Sequence, residues 1–374
     1  MTPSIYATIT KIETVAVDPV VHPSLVVQGA SGTHDKSNFL IVRVTTSAGV
    51  TGIGEVSGTL GWSGEDSGTA LHAIRHAIAP KLIGKPIAPV EGLQALMEIA
   101  LAASPFTKAG VATALWDAYA RTLDISMAEA LGGAIRKVIP IKFSLSGDKE
   151  RIKLVYETAT KMGFHAFKLK IGKDPVDDGD RFAFARKLVG DSTFLGTDAN
   201  TGYRRSEARL AGELMRPYKP AFFEQPVAAG DLQGMHELKE LGIPVVADES
   251  VFRLEDLVAV LRADAADVMS IYVGKSGGPN KAVQMGRIAD AFGLDSLIGS
   301  NGESGVGAAA QLQVAAAMPG LSMRFPSDII GEYYYSDGIL ETPLDSDGKV
   351  VRLPDAPGLG VALKPEIAAN LAEV

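Results

Sequence analysis

Apolar positions recur with two different periods along the first 123 residues. From Met1 to Val17 they alternate (Ile9, Ile12, Thr14, Val15, Val17), which predicts a strand centred on Lys11–Val17. Phe39–Thr45 has the same β-branched character. Thr51–Val56 continues it as a hairpin after the Ser47-Ala48-Gly49 turn. Helical spacing follows, predicting helices near Thr69–Ile83, Val90–Ala103 and Thr107–Leu123. Residues 1–123 therefore form an α+β unit of ordinary domain size.

Beyond Leu123 short apolar runs alternate with amphipathic stretches. The strand candidates are Val138–Phe143, Ala166–Ile171, Phe194–Asp198, Ala221–Glu224, Val245–Asp248, Val268–Val273, Ser296–Ile298 and Met323–Phe325. Helical patterns such as Leu232–Leu241 and Lys281–Phe292 fill the gaps. Repeated strand–helix units imply parallel strands with crossover helices, and eight of them imply a closed β/α barrel over residues 124–339. The segment 340–374 has its own turns (Asp347-Gly348, Pro357-Gly358) and is expected to fold back on the first unit. The fold class is thus α/β, a (β/α)8-type barrel with an N-terminal α+β domain.

Composition narrows the chemistry. The 374 residues include no cysteine, which removes disulfides, thiolate metal sites and cysteine nucleophiles. The formal charge of −8 disfavours nucleic acid and anionic membranes as partners. The N-terminus lacks the basic start and apolar core of a signal peptide. No apolar run has the length of a membrane span, and Val306–Met318, with Gln311 and Gln313, reads as a buried helix. A soluble, cytoplasmic protein is the expectation, with a homo-oligomer as its assembly.

Functional groups of a β/α barrel sit at the C-terminal ends of its strands. Strand two ends in Lys168-Leu169-Lys170, strand three in Asp198 followed by Asn200, strand four in Glu224-Gln225 and strand five in Asp248-Glu249. Lys275 follows strand six. Lys170, Asp198, Glu224, Asp248 and Lys275 fall 28, 26, 24 and 27 residues apart, each about one β/α unit. Alternation along a strand turns Lys168 and Lys170 to the same inward side. Three carboxylates at one mouth repel one another unless a cation joins them. Oxygen ligands suit Mg²⁺, and Mn²⁺ also fits. Zn²⁺ is disfavoured because no His or Cys joins the cluster. A single strand-end Asp is often only a helix cap; three in register, flanked by lysines, read as a site.

The Lys-x-Lys, Asp-x-Asn, Glu-Gln-Pro, Asp-Glu-Ser and Lys-x-Gly-Gly series resembles the muconate lactonizing enzyme (muconate cycloisomerase) subgroup of the enolase superfamily, over nearly the whole chain including Pro357-Gly358-Leu359-Gly360. The resemblance implies metal ligands at Asp198, Glu224 and Asp248. It implies opposed acid/base lysines at Lys170 and Lys275, with Lys168 assisting. It also implies a barrel with one modified unit, (β/α)7β, and contacts to a small carboxylate substrate from two loops of the capping domain. The chemistry has its own logic. Removing a proton next to a carboxylate builds a second negative charge there, which a bound metal stabilises. The base must be neutral, and the positive field of Lys168 and the metal favours that form. The resemblance implies the same pairing, since enolase-superfamily sites use a Lys or His base with Mg²⁺.

None of the six histidines lies beyond His236, so a catalytic His after a late barrel strand is ruled out. This argues against the mandelate racemase-like and many sugar-acid dehydratase subgroups. Muconate-type cycloisomerisation is the leading outcome; N-acylamino acid racemisation or epimerisation and β-elimination by a dehydratase are the alternatives. Pro326-Ser327-Asp328-Ile329-Ile330-Gly331 supplies Asp328 where muconate lactonizing enzymes carry a Glu; the Asp-x-Asp pair of dipeptide epimerases is absent. After strand seven, Glu303 either contacts substrate or favours the next helix N-terminus. Asn200, Gln225 and Glu249 complete the surrounding set. The glycine-rich loops Gln28–Lys36 and Ser57–Asp66 are candidate mobile lids. Trp62 in the second either faces substrate or packs the domains together. Because every ligand and base position is intact, a non-catalytic binding protein is the weaker reading.

Overall fold

The computed structural model describes residues 4–30 and 32–374. Residues 1–3, in the N-terminal strand predicted from Met1, and residue 31, in the first loop, lie outside the described set. The chain forms a four-stranded antiparallel sheet packed on helices, followed by a parallel barrel.

In the first unit, Ile9–Val17 pairs with Phe39–Thr46, which pairs with Thr51–Val56. The helix Pro105–Thr122, buried along nearly its whole length, lies across the two later strands. That approach is close enough to demand glycine: a Cβ on Gly54 would stand 2.0 Å from the Gly110 carbonyl oxygen. The helix expected at Thr69–Ile83 runs from Ser67 to Leu82 and carries a π-turn at Ile74–Ile78. The C-terminal segment does return: Ala372–Glu373 adds a fourth strand beside Ile9–Val17.

The barrel strands follow one another in sequence order, all parallel: Phe143–Leu145, Ala166–Lys170, Phe194–Asp198, Phe223–Glu224, Val245–Ala247, Val268–Ile271 and Asp295–Ile298. Two expected strands differ. Val138–Phe143 is not one barrel strand: Val138–Pro140 pairs antiparallel with Val350–Arg352, and the chain joins the barrel only at Phe143. Met323–Phe325 is not a strand either. Pro326 has no N–H to donate, and the Ser322 hydroxyl accepts from Arg324 and Phe325 N–H, which curls the segment. The ring still closes there. Ser322 and Asp328 N–H donate to the Ser296 and Ile298 carbonyls of the seventh strand, and Ser327 bridges to Ile141 beside the first.

Inward-facing side chains stack in layers. Phe222, Val246, Val268, Leu297 and Phe325 form a buried apolar plug. Above it the inward positions turn polar. Gly305–Ala317, the predicted buried helix, is buried at every residue. Among the described residues no helix is long and apolar enough to cross a membrane.

Candidate active site

Register aligns the charged positions. Lys170 pairs with Asp198, and Asp198 with Glu224, across strands two, three and four. Glu224 pairs with Val246, so Asp248 follows on the same inward face two residues later. The alternation that places Phe222 in the apolar plug thus carries Glu224 into the layer above it.

All three carboxylates are buried, and each is held by a lysine. Lys168 Nζ lies 3.1 Å from Glu224, 3.1 Å from Asp328 and 3.2 Å from Asp198. Lys170 Nζ donates to Asp198 at 2.7 Å and to Asn200 at 2.9 Å. Lys275 Nζ donates to the Asp248 side chain, to the Asp248 carbonyl at 2.8 Å and to the Ser270 carbonyl at 3.0 Å. Among the described residues no three carboxylate or imidazole side chains stand as a ready-made metal cage, because these carboxylates lean on ammonium groups. The donor set nevertheless fits a hard divalent cation. Burial, then the neighbouring charge of Asp198, pushes Glu224 up to about 8 despite Lys168, so its ionised form needs a further positive charge that a bound cation would supply. Asp198 goes the other way: burial opposes ionisation, but Lys170 and Lys168 hold it well below the carboxylate range. Burial also opposes the charged form of Lys168, yet Asp328, Glu224 and Asp198 raise it well above an ordinary lysine.

A cavity of about 270 Å³ opens over this cluster. Lys168, Lys170, Asn200, Asp248 and Asp328 line it, with Trp62 from the capping unit and Tyr272 from the end of strand six. Asp328 accepts from Lys142 and Lys168 on Oδ2; its buried Oδ1 has no protein partner. Trp62 stands between the cavity and the aromatic packing around it. It lines the cavity, and its ring packs 6.1 Å from Tyr272, 5.3 Å from Phe252 and 5.8 Å from Phe106.

Several expected residues stand elsewhere. Lys275 does not line the cavity. Strand six ends at Ile271, and Lys275 falls in the short helix Val273–Ser276, fully buried beneath Tyr272, whose ring centroid is 4.0 Å from Nζ. Glu303 also turns away, accepting from the Ser300 hydroxyl and the Asn301 N–H beside buried Glu55. Gln225 and Glu249 sit behind the carboxylates. Gln225, at φ +35°, accepts from the Asp248 and Ser250 N–H groups and fixes the turn after strand five. Glu249 accepts from Asn200 at 3.0 Å. The second loop is tied down: it contains the short helix Leu60–Ser63, Asn301 donates to Ser57 O and Thr59 Oγ1, and Glu65 accepts from the first N–H groups of helix Pro105–Thr122.

Sequence reasoning missed Lys142 and Tyr272. Lys142 is fully buried and lies 3.0 Å from Asp328. Its signal was the alternation Lys142-x-Ser144, which turns both inward at the start of the barrel strand. Tyr272 donates to Asp248 Oδ2 at 2.9 Å; as the inward position four beyond Val268 it was legible by the same rule.

Comparison with known proteins bears on this geometry. Residues 151–367 match the enolase C-terminal domain-like family, and residues 11–132 match the mandelate racemase / muconate lactonizing enzyme N-terminal domain. A chloromuconate cycloisomerase from Pseudomonas putida is 32% identical over 363 residues, covering 95% of this chain and 97% of that protein. An L-Ala-D/L-Glu epimerase from Bacillus subtilis (strain 168) is 31% identical over 327 residues, covering 86% and 88%. The muconate lactonizing enzyme from Pseudomonas fluorescens, solved with muconolactone, superposes with a TM-score of 0.91 at 26% identity, over 97% of this chain and 99% of that one. The chain belongs to the mandelate racemase / muconate lactonizing enzyme family of the enolase superfamily, an enzyme family whose relatives here are isomerases.

Proposed function

We propose that this enzyme moves a proton at the carbon next to a substrate carboxylate through an enolate, working from one face with Lys170, in the manner of a muconate-type cycloisomerase. One observation carries the reading: of the two lysines expected to oppose each other, only Lys170 opens on the cavity. In the forward sense, neutral Lys170 takes the α-proton and becomes an ammonium, while the C–H electron pair passes into the enolate. In the lactone-forming sense a carboxylate oxygen of the diacid adds to a double-bond carbon, the π electrons pass into the enolate, and the Lys170 ammonium gives its proton to the enolate carbon. Lys168, clasped by three carboxylates, stays a cation and helps to hold the substrate carboxylate. Asn200 positions Lys170 by accepting its hydrogen bond.

Asp198, Glu224 and Asp248 would hold a divalent cation, Mg²⁺ or Mn²⁺. Divalent-metal dependence is general in this family. The ion supplies electrostatic stabilisation of the charge that builds on the substrate carboxylate. The burial of Glu224 beside Asp198, which opposes its ionisation unless a cation joins them, supports this assignment.

Two-face racemisation has less support, since it needs a base on either side of the substrate. β-Elimination is the second reading, and the far cavity wall favours it. Thr33, His34, Thr59 and Asn301 stand there, with no lysine or arginine among the described lining residues apart from Lys168 and Lys170. A second substrate carboxylate would find no cation. A small acid bearing a hydroxyl would find hydrogen-bonding partners. The test is incubation with Mg²⁺ of cis,cis-muconate and, separately, of 3-hydroxy acids including hydroxy amino acids, followed by proton NMR. Lactone formation supports the first reading; loss of water with deuterium uptake in D₂O supports the second. Turnover undiminished in Lys170→Ala refutes both.

A further inference from the structure

The side of the site facing Lys170 is closed by an aromatic ring where a second base would have to stand. Tyr272 extends from the end of strand six, donates to Asp248 Oδ2 at 2.9 Å and lies nearly parallel to Trp62, at 22°. Its seat is shaped for it. A Cβ on Gly299, at the end of strand seven, would come within 1.9 Å of the Tyr272 ring. Behind the ring lies Lys275, with all three of its bonds made to Asp248 and Ser270. Besides Lys168 and Lys170, the basic group among the described lining residues is His34, on the capping loop. It bonds Ser37 at 3.0 Å, which ties its ring to the capping loop.

Resting on the proton-transfer reading above, we infer that Tyr272 is the residue that determines stereospecificity: its ring, seated by Gly299 and stacked on Trp62, screens Lys275 from the substrate and confines proton exchange to the Lys170 face. Tyr272 acts as a wall, and no proton need pass through it. The consequence is that one enantiomer of an α-chiral acid exchanges its α-proton with solvent and the other does not.

Two measurements on the full chain test this. In the first, folded protein is reductively methylated with formaldehyde and cyanoborohydride, and lysine modification is read by peptide mass spectrometry. Lys170 is modified and Lys275 is not. Tyr272→Ala raises modification of Lys275 at least about tenfold, whereas Tyr272→Phe, which keeps the ring, leaves it protected. Circular dichroism confirms that each variant is folded. Wild-type Lys275 modified as fast as Lys170, or protected equally in folded Tyr272→Ala, overturns the inference. In the second, the separate D- and L-forms of N-acetylmethionine, proline and mandelate are incubated in D₂O with Mg²⁺. The wild type exchanges one enantiomer of a reactive probe about 100-fold faster than the other, the scale of one general base. Tyr272→Lys, which places an amine on the closed face, brings the two rates within about tenfold. Comparable rates in the wild type overturn the inference. Exchange of no probe counts against the proton-transfer reading instead, and the methylation result then upholds or overturns the wall by itself.

Discussion

Asp328→Asn removes one negative charge shared by two buried ammonium groups, and its cost can be apportioned from the contacts. Asp328 Oδ2 lies 3.0 Å from Lys142 Nζ and 3.1 Å from Lys168 Nζ. At an effective dielectric near 20 each attraction is about 5 kcal/mol before desolvation is subtracted. The two lysines do not lose equally. Lys168 keeps Glu224 and Asp198. Lys142 keeps only the Pro326 carbonyl, at 2.7 Å, and the face of Phe222, 5.6 Å from its centroid. The damage therefore falls on Lys142, a fully buried cation left with no carboxylate in contact and only the more distant charge of Glu224. Breaking a buried pair by removing one partner costs about 3–5 kcal/mol, and that is the expected destabilisation. Replacing both members by apolar or neutral groups of similar size is often close to neutral. Lys142→Met combined with Asp328→Asn should accordingly recover more than half of the loss, since Met packs well beside Phe222. Urea unfolding followed by circular dichroism at pH 7 measures both variants, with coincident fluorescence transitions checking two-state behaviour. A single-variant cost below about 1 kcal/mol, or a double variant less stable than Asp328→Asn, would refute the reasoning.

Three further outcomes are expected. Asp198→Asn, Glu224→Gln and Asp248→Asn should each weaken Mn²⁺ binding at least about tenfold by calorimetry, and chelation of the wild type should abolish turnover; unchanged Mn²⁺ affinity in all three would dismiss the carboxylate site. Gly299→Ala should displace Tyr272, because its Cβ meets the ring at 1.9 Å, and lower stability by about 1–3 kcal/mol; a crystal structure with Tyr272 unmoved would contradict this. Burial, followed by repulsion from Lys170, depresses His34 below the ordinary imidazole range, although Asp35 opposes the shift. The unfolded chain takes up that proton near pH 6.5 while the folded chain still does not, so the His34 contribution to stability is present above that pH and is lost as pH falls. An NMR titration of the imidazole carbons should show His34 titrating below the ordinary imidazole value; a midpoint at or above about 6.5 would refute it.

What the sequence could decide by itself was whatever depends on strand alternation and on the length of a β/α unit. Both are local and repeat along the chain, so Lys168, Lys170, Asp198, Glu224 and Asp248 could be aligned without coordinates, and they converge as expected. The same rules pointed to Lys142 and Tyr272, but attention confined to charged residues at the predicted strand ends passed over both. Tertiary structure alone decided which lysine meets the cavity. Lys275 lies only three residues beyond Tyr272, yet the chain leaves the strand at Ile271 and winds into a helical turn, which sends the next basic side chain behind the ring. Glu303 shows the same dependence, since its direction is set by Ser300 and Asn301 in a loop without repeat. So does the eighth barrel position, where Pro326 and Ser322 replace a strand with a curled segment that still closes the ring. Periodicity tells a side chain's face only while the element lasts; where it ends, packing against distant residues chooses the direction.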